Sequence, residues 1–248
     1  MKDEQVMKIA YFQKGFNYSQ DGPGNRLVYH LCGCNLSCPW CANPEGLEAV
    51  SKETKITDTD SMMKEAWSAR PMFFDCGGVT FTGGEPTLQF DSLKDVLRKL
   101  HNKGINTCIE TNGTSSRLQE LFPFLSVLIM DCKQTNTEKH RQWTGLGNDH
   151  IITNLTLASK TNLPLQIRIP LIHGVNDDEN SLTGFIRLFS MINRENLSIE
   201  FLPYHEYGKE KWLSHGLKYQ MKDAFVSMEC IQHFEHECKN HGLHVIHT

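Results

Sequence analysis

The 248-residue chain carries 25 Lys and Arg against 29 Asp and Glu, a formal charge of −4, with 39% hydrophobic residues. This is the composition of an ordinary globular domain, and it offers no general attraction for nucleic acid or another polyanion. No apolar run approaches the ~20 residues of a membrane span, and MKDEQVMKIAYFQKG at the N-terminus lacks the apolar core of a signal peptide, so a cytoplasmic protein is expected.

Read in chain order, DGPGNR (21–26) is in isolation a Pro-Gly turn. LVYHL (27–31) is a strand that runs straight into CGCNLSCPWC (32–41). VTFTG (79–83) is a second strand, followed by a helix from Asp91 to about Asn102, with Asp91 as the expected N-cap and Leu93, Val96, Leu97 and Leu100 at helical spacing. The strands NTCIET (106–111), SVLIMD (126–131), LQIRIP (165–170) and SIEFLPY (198–204) follow, with helices expected near 150–160, 180–193 and 221–240. There is no repeat and no linker-like segment, which predicts a single domain over 1–248.

Strands alternating with helical runs indicate βαβ units and a parallel sheet. At least six such repeats favour a full or partial barrel, in which chemistry collects at the C-terminal ends of the strands. Polar and glycine-rich clusters fall at those ends: the cysteine loop, GGEPT (83–87), ETNG (110–113), DCK (131–133), Arg168 with Pro170, and LPYHEYG (202–208). One composite site is therefore expected.

In a reducing compartment, four cysteines in ten residues read as metal ligands before disulfides. Structural zinc takes two cysteine pairs from separate parts of a chain. The other cysteines, Cys76, Cys108, Cys132, Cys230 and Cys238, are isolated, so no second pair is at hand. An iron–sulfur cluster can be wrapped by one loop, which makes it the favoured reading, with zinc left open. Cys34, Cys38 and Cys41 form C-x3-C-x2-C, and three ligands on a four-iron cluster would leave one iron open.

C-x3-C-x2-C with an aromatic residue, Trp40, before its last cysteine resembles the radical S-adenosylmethionine (SAM) superfamily. GGEPT resembles the second strand-end motif of that family. DGPGNR, DCKQTN (131–136), RIPLIHGVNDDE (168–179) and LPYHEYGKEKW (202–212) resemble, in the same order, segments of the glycyl-radical-enzyme activases within it. The stretch from Ala42 to Thr82 holds only Cys76, so the ferredoxin-like insert of many activases is absent and the compact branch is indicated.

The resemblance implies an α/β partial (β/α)6 barrel of the radical SAM type. It implies an oxygen-sensitive oxidoreductase that uses a [4Fe–4S] cluster and SAM to generate a 5′-deoxyadenosyl radical. That radical takes hydrogen from a glycine Cα of a partner glycyl radical enzyme. Cys34, Cys38 and Cys41 would ligate the cluster, while Cys32 would pack at the strand end without iron. Trp40, Gly83, Gly84, Glu85, Glu110, Lys133, Arg168 and His205 would contact SAM. Glu110, Thr111 and Asp131 would hold a monovalent cation, and Asp21 and Arg26 would lie near the partner peptide. No side chain is expected to act as a general acid or base. Reduced flavodoxin or ferredoxin would supply the electron, and the chain would be a monomer. The alternatives are a radical SAM enzyme acting on a small molecule, of the 7-carboxy-7-deazaguanine synthase kind, and a zinc-stapled binding domain. The late histidines, His233, His236, His241, His244 and His247, read as a polar helix face and a terminal strand.

Overall fold

The computed structural model describes residues 6–248; the first five residues of the N-terminal stretch considered above lie outside it. The chain divides into two compact units. One comprises the residues up to Asn35, Glu45–Thr111 and Glu120–Val127, and the other Leu36–Pro44, Asn112–Gln119 and Leu128–Thr248.

In the first unit the strand order is β3-β1-β2-β4-β5, with β1 Lys8–Tyr18, β2 Asn25–Leu31, β3 Lys55–Asp58, β4 Gly78–Gly83 and β5 Asn106–Thr111. β2, β4 and β5 are parallel neighbours, and β1 runs antiparallel to both β2 and β3. Every residue of β2 except His30 is buried, as expected of a parallel strand covered on both faces. Helix α1 (Thr59–Ala69) starts at Asp58, whose side chain accepts from the Ser61 N–H. Helix α2 (Phe90–Asn102) buries Phe90, Leu93, Val96, Leu97 and Leu100 and packs on α1 and β5. Its N-cap is Gln89, not Asp91. A 3₁₀ turn over Pro86–Gln89 delivers the chain already coiled, so Asp91 falls inside the first turn, where its charge suits the helix dipole.

The second unit carries β6 (Val127–Asp131) from its second residue on, β7 (Leu165–Leu171) and β8 (Leu197–Pro203), with β6–β7 and β7–β8 parallel. Its helices are α3 (Thr137–Thr144), α4 (Asp149–Ser159), α5 (Glu179–Ser190), α6 (Lys209–Ser214) and α7 (Met228–Asn240). The expected helix over 221–240 begins only at Met228, capped by Ser227. Met221 and Ala224 are instead drawn into a small core with Ile172, Val175 and Tyr204, which holds 221–227 out of helical geometry. Six strands, β2 and β4 to β8, thus have parallel partners, and the fold is α/β, a partial (β/α)6 barrel.

The late histidines follow the pattern only in part: the helix face is present, but the expected terminal strand is reduced to one isolated bridge. His233 and His236 are on the exposed face of α7, with His233 Nε2 2.8 Å from Glu179 Oε1, and Val245 makes a single bridge to Ile199 of β8.

Candidate active site

In the first unit the ends of β2 and β4 are tied together through the backbone. Gly84 N–H donates to Leu31 O at 2.9 Å and Glu85 N–H to Gly33 O at 2.6 Å, while Gly33 and Cys34 donate to Gly46 O and Leu47 O. A Cβ on Gly84 would stand 2.1 Å from Gly33 O and 2.5 Å from Gly46 O. Gly84 is therefore a requirement of packing: the GGE turn lies directly against the first limb of the cysteine loop.

The Glu85 carboxylate is fully enclosed. Its Oε1 accepts from Thr87 N at 3.0 Å, from the Thr87 hydroxyl, and from Thr111 Oγ1 at 2.7 Å. Thr111, expected beside a cation, thus donates to Glu85. Glu110 Oε2 accepts from Thr82 Oγ1 at 2.9 Å. Two carboxylates at the ends of β4 and β5 are in this way each oriented by threonine hydroxyls. Buried charge is tolerated only when hydrogen-bonded, and a cationic amino group is the natural complement to such a carboxylate.

Cys32 is buried, with Sγ 3.6 Å from Thr54 Oγ1, and burial raises its pKa, which disfavours the thiolate that iron requires. At the other end of β2, Asp21 accepts from Asn17, and its carbonyl takes the Thr80 hydroxyl at 2.7 Å. Arg26 is fully buried. Nε donates to Thr80 Oγ1 at 2.6 Å, and the terminal nitrogens donate to Pro23 O, Val79 O and Asn106 Oδ1. The guanidinium therefore braces the 21–26 turn from inside.

In the second unit, Cys38 is buried and Cys41 half-buried. Cys41 N–H donates to Cys38 O at 3.2 Å, and Asn43 N–H donates to Cys41 Sγ at 3.4 Å. Trp40 packs on the small core around Tyr204 and meets Trp143 at 6.2 Å between ring centroids. Asp131 and Lys133 form an ion pair, with Lys133 buried, so Asp131 already has a cationic neighbour. Between them, Cys132 is a core thiol pushed up to about 12 by burial and by Asp131.

Arg168 Nε donates to Glu200 Oε2 at 3.0 Å, and both residues are buried. His205 stacks on Tyr207 at 4.2 Å, and burial lowers its pKa, so the ring is neutral at pH 7. Thr82, Thr87, Asn43 and Trp212 were not assigned from sequence. Thr87 lies within GGEPT and Trp212 within LPYHEYGKEKW, but neither motif says what its side chain touches.

None of the three loop cysteines is in a disulfide among the described residues. Among the described residues no group of three or more His, Cys, Asp or Glu is arranged to hold a single metal ion. Thiolates that bind three different irons of a cluster do not converge on one point, and an N–H aimed at Cys41 Sγ suits a ligating thiolate. The donor set fits an iron–sulfur cluster.

The Radical SAM superfamily model matches residues 28–185, a span that runs through both units, and the fold and cysteine loop define a radical SAM protein. The chain is 34% identical over 216 residues to the pyruvate formate-lyase-activating enzyme of Staphylococcus aureus, covering 82% of this chain and 84% of that one. A crystal structure of a domain of a pyruvate-formate lyase-activating enzyme from Bacteroides vulgatus matches at 26% identity and TM-score 0.57, covering 68% of this chain and 98% of that one. A radical SAM methyltransferase from Sphaerobacter thermophilus shares the fold at 17% identity and TM-score 0.66, over 99% of this chain and 74% of that one. The chain belongs to the radical SAM superfamily and, within it, to the pyruvate formate-lyase-activating enzyme family. Its cofactors are a [4Fe–4S] cluster and SAM, and its activity is that of an activase. That membership replaces the zinc-stapled reading.

Proposed function

We propose that this chain installs a glycyl radical on a partner enzyme, with pyruvate formate-lyase the partner to test first. The observation that carries the reading is the direct tie between Glu85 and Gly33, which sets the GGE turn against the loop bearing the cysteines. When bound, the cluster and SAM supply a reductive cleavage that ends with hydrogen taken from the glycine Cα. The protein's part is to bind, orient and keep out water.

Cys34, Cys38 and Cys41 hold the cluster in this proposal. Glu85, fixed by Thr87 and Thr111, receives the SAM amino group, with Gly83 and Gly84 allowing close backbone approach. Arg168, Lys133 and neutral His205 line the SAM site, with Glu110 and Trp40. Glu110, Thr111 and Asp131 remain the proposed residues for a monovalent cation, although Thr111 and Asp131 each already have a partner. Asp21 and the backbone of the 21–26 turn are the proposed contacts of that segment with the partner peptide, because Arg26 is spent internally. Among the described residues no helix is long and apolar enough to cross a membrane. We place the enzyme in the cytoplasm as a monomer, reduced by flavodoxin or ferredoxin.

The test is anaerobic reconstitution with iron and sulfide, then reaction with SAM and a reductant. 5′-Deoxyadenosine formation together with a glycyl-radical doublet in the paramagnetic resonance of pyruvate formate-lyase supports the proposal. Absence of deoxyadenosine refutes it. Deoxyadenosine without a doublet on any glycyl radical enzyme shifts the reading to a small-molecule substrate.

A further inference from the structure

The turn before α6 and the helix itself lie on the cysteine loop in a way the activity alone does not explain. The Trp212 indole N–H donates to the backbone carbonyl of Cys41 at 2.9 Å, and Trp212 is buried. Gly208, four residues earlier, comes so close that a Cβ there would stand 2.4 Å from the same Cys41 oxygen and 2.9 Å from Ala42 Cα. Trp212 N–H donates to Gly208 O at 2.9 Å, so the two contacts form one rigid turn. Lys211 Nζ, on the same helix, reaches Asn43 Oδ1 at 3.3 Å, and Asn43 N–H donates to Cys41 Sγ. Trp212 is itself braced edge-on by Tyr219 at 6.1 Å, whose hydroxyl lies 2.6 Å from that of Tyr204.

We propose that Trp212, with Gly208 and Lys211, is a positioning device for the cluster ligand Cys41: it fixes the Cys41–Asn43 turn so that the Asn43 N–H stays aimed at the sulfur. The physical reason is that a hydrogen bond to a ligating sulfur spreads its negative charge and raises the potential of the cluster, while outer partners of a metal ligand govern how tightly the metal is held. With the carbonyl of Cys41 tethered to an indole, the turn cannot rotate, and the N–H···S contact persists. The same segment carries His205 seven residues before Trp212, so one stretch of chain serves both the cluster loop and the proposed SAM site. The inference rests on Cys41 being a cluster ligand.

The test is Trp212→Phe, which keeps an aromatic ring and removes the donor, beside Gly208→Ala, Lys211→Met, and Leu213→Ala as a control exposed on the same helix. Each protein is reconstituted anaerobically, its iron and sulfide content measured, its release of iron to a chelator timed, and its cluster potential read by a paramagnetic-resonance titration. Expected are wild-type circular dichroism of the metal-free protein, a more negative cluster potential for Trp212→Phe, and iron loss about 10–100-fold faster, with a larger effect for Gly208→Ala and none for Leu213→Ala. Should Trp212→Phe fail to fold, Lys211→Met carries the test, with a potential shifted in the same direction. A Trp212→Phe protein with wild-type potential and iron retention overturns the clamp alone. A wild-type chain that takes up no iron overturns the cluster-ligand reading on which it stands.

Discussion

Replacing Glu200 with Gln separates what Arg168 does for the fold from its proposed role toward SAM. Glu200 Oε2 accepts from Arg168 Nε at 3.0 Å and Gln166 Nε2 at 2.8 Å, and Oε1 accepts from Thr248 N at 2.8 Å and its hydroxyl. Every position around the carboxylate is therefore filled by a donor. A glutamine amide must place its NH2 against at least one N–H whichever way it turns, and it removes the carboxylate charge that faces the buried Arg168 guanidinium. Breaking a buried pair from one side costs about 3–5 kcal/mol. With a urea m-value of about 1–3 kcal/mol/M, the unfolding midpoint falls by about 1–5 M.

The assay is anaerobic urea unfolding of the metal-free, reduced protein, followed by circular dichroism. A double replacement, Arg168→Met with Glu200→Leu, removes both charges and keeps the volume, so it is expected to recover most of the loss, short of the wild type because Gln166 and Thr248 lose their acceptor. SAM binding to the reconstituted double variant is expected to be lost, because the cation is gone. A Glu200→Gln protein that loses less than about 1 kcal/mol refutes the reasoning, as does a double variant that binds SAM normally.

Thr111→Val is isosteric and removes one donor from the enclosed Glu85 carboxylate, so it lowers apo stability by about 1.5–3 kcal/mol; with Thr87→Val added, the loss is expected to be non-additive, since both hydroxyls serve Glu85 Oε1, and paired unfolding curves check this. Cys32→Ser is expected to keep wild-type iron content, whereas Ser at Cys34, Cys38 or Cys41 abolishes cluster assembly, read from the brown absorbance after reconstitution. His140 is fully buried with Nδ1 2.6 Å from Leu146 O, and burial lowers its pKa below the ordinary value of 6.5. As pH falls through about 6.5 the unfolded chain takes up that proton first, so His140 favours folding above that pH and loses its contribution below it. The thermal midpoint is expected to fall between pH 7 and 5, with a shallower slope in His140→Asn.

The parallel strands were legible from their apolar and β-branched runs, and β5 Asn106–Thr111, with Thr107, Ile109 and Thr111, coincides with NTCIET to the residue. The cysteine triplet and GGEPT were legible because chemistry dictates residue type and spacing at close quarters. β1 was not, since KIAYFQKGFNY has no sustained apolar run or alternation and its burial is mixed along its length.

The sequence by itself determined the family, the cofactors and the strand ends on which the chemistry sits. Only the tertiary structure decided what each side chain touches: that Arg26 is an internal brace, that Thr111 serves Glu85, that Arg168 is paired with Glu200, and that Trp212 holds Cys41 across 171 residues of chain. Motifs record local spacing, which the covalent chain fixes. Partners distant in sequence are chosen by packing, and no local pattern encodes them.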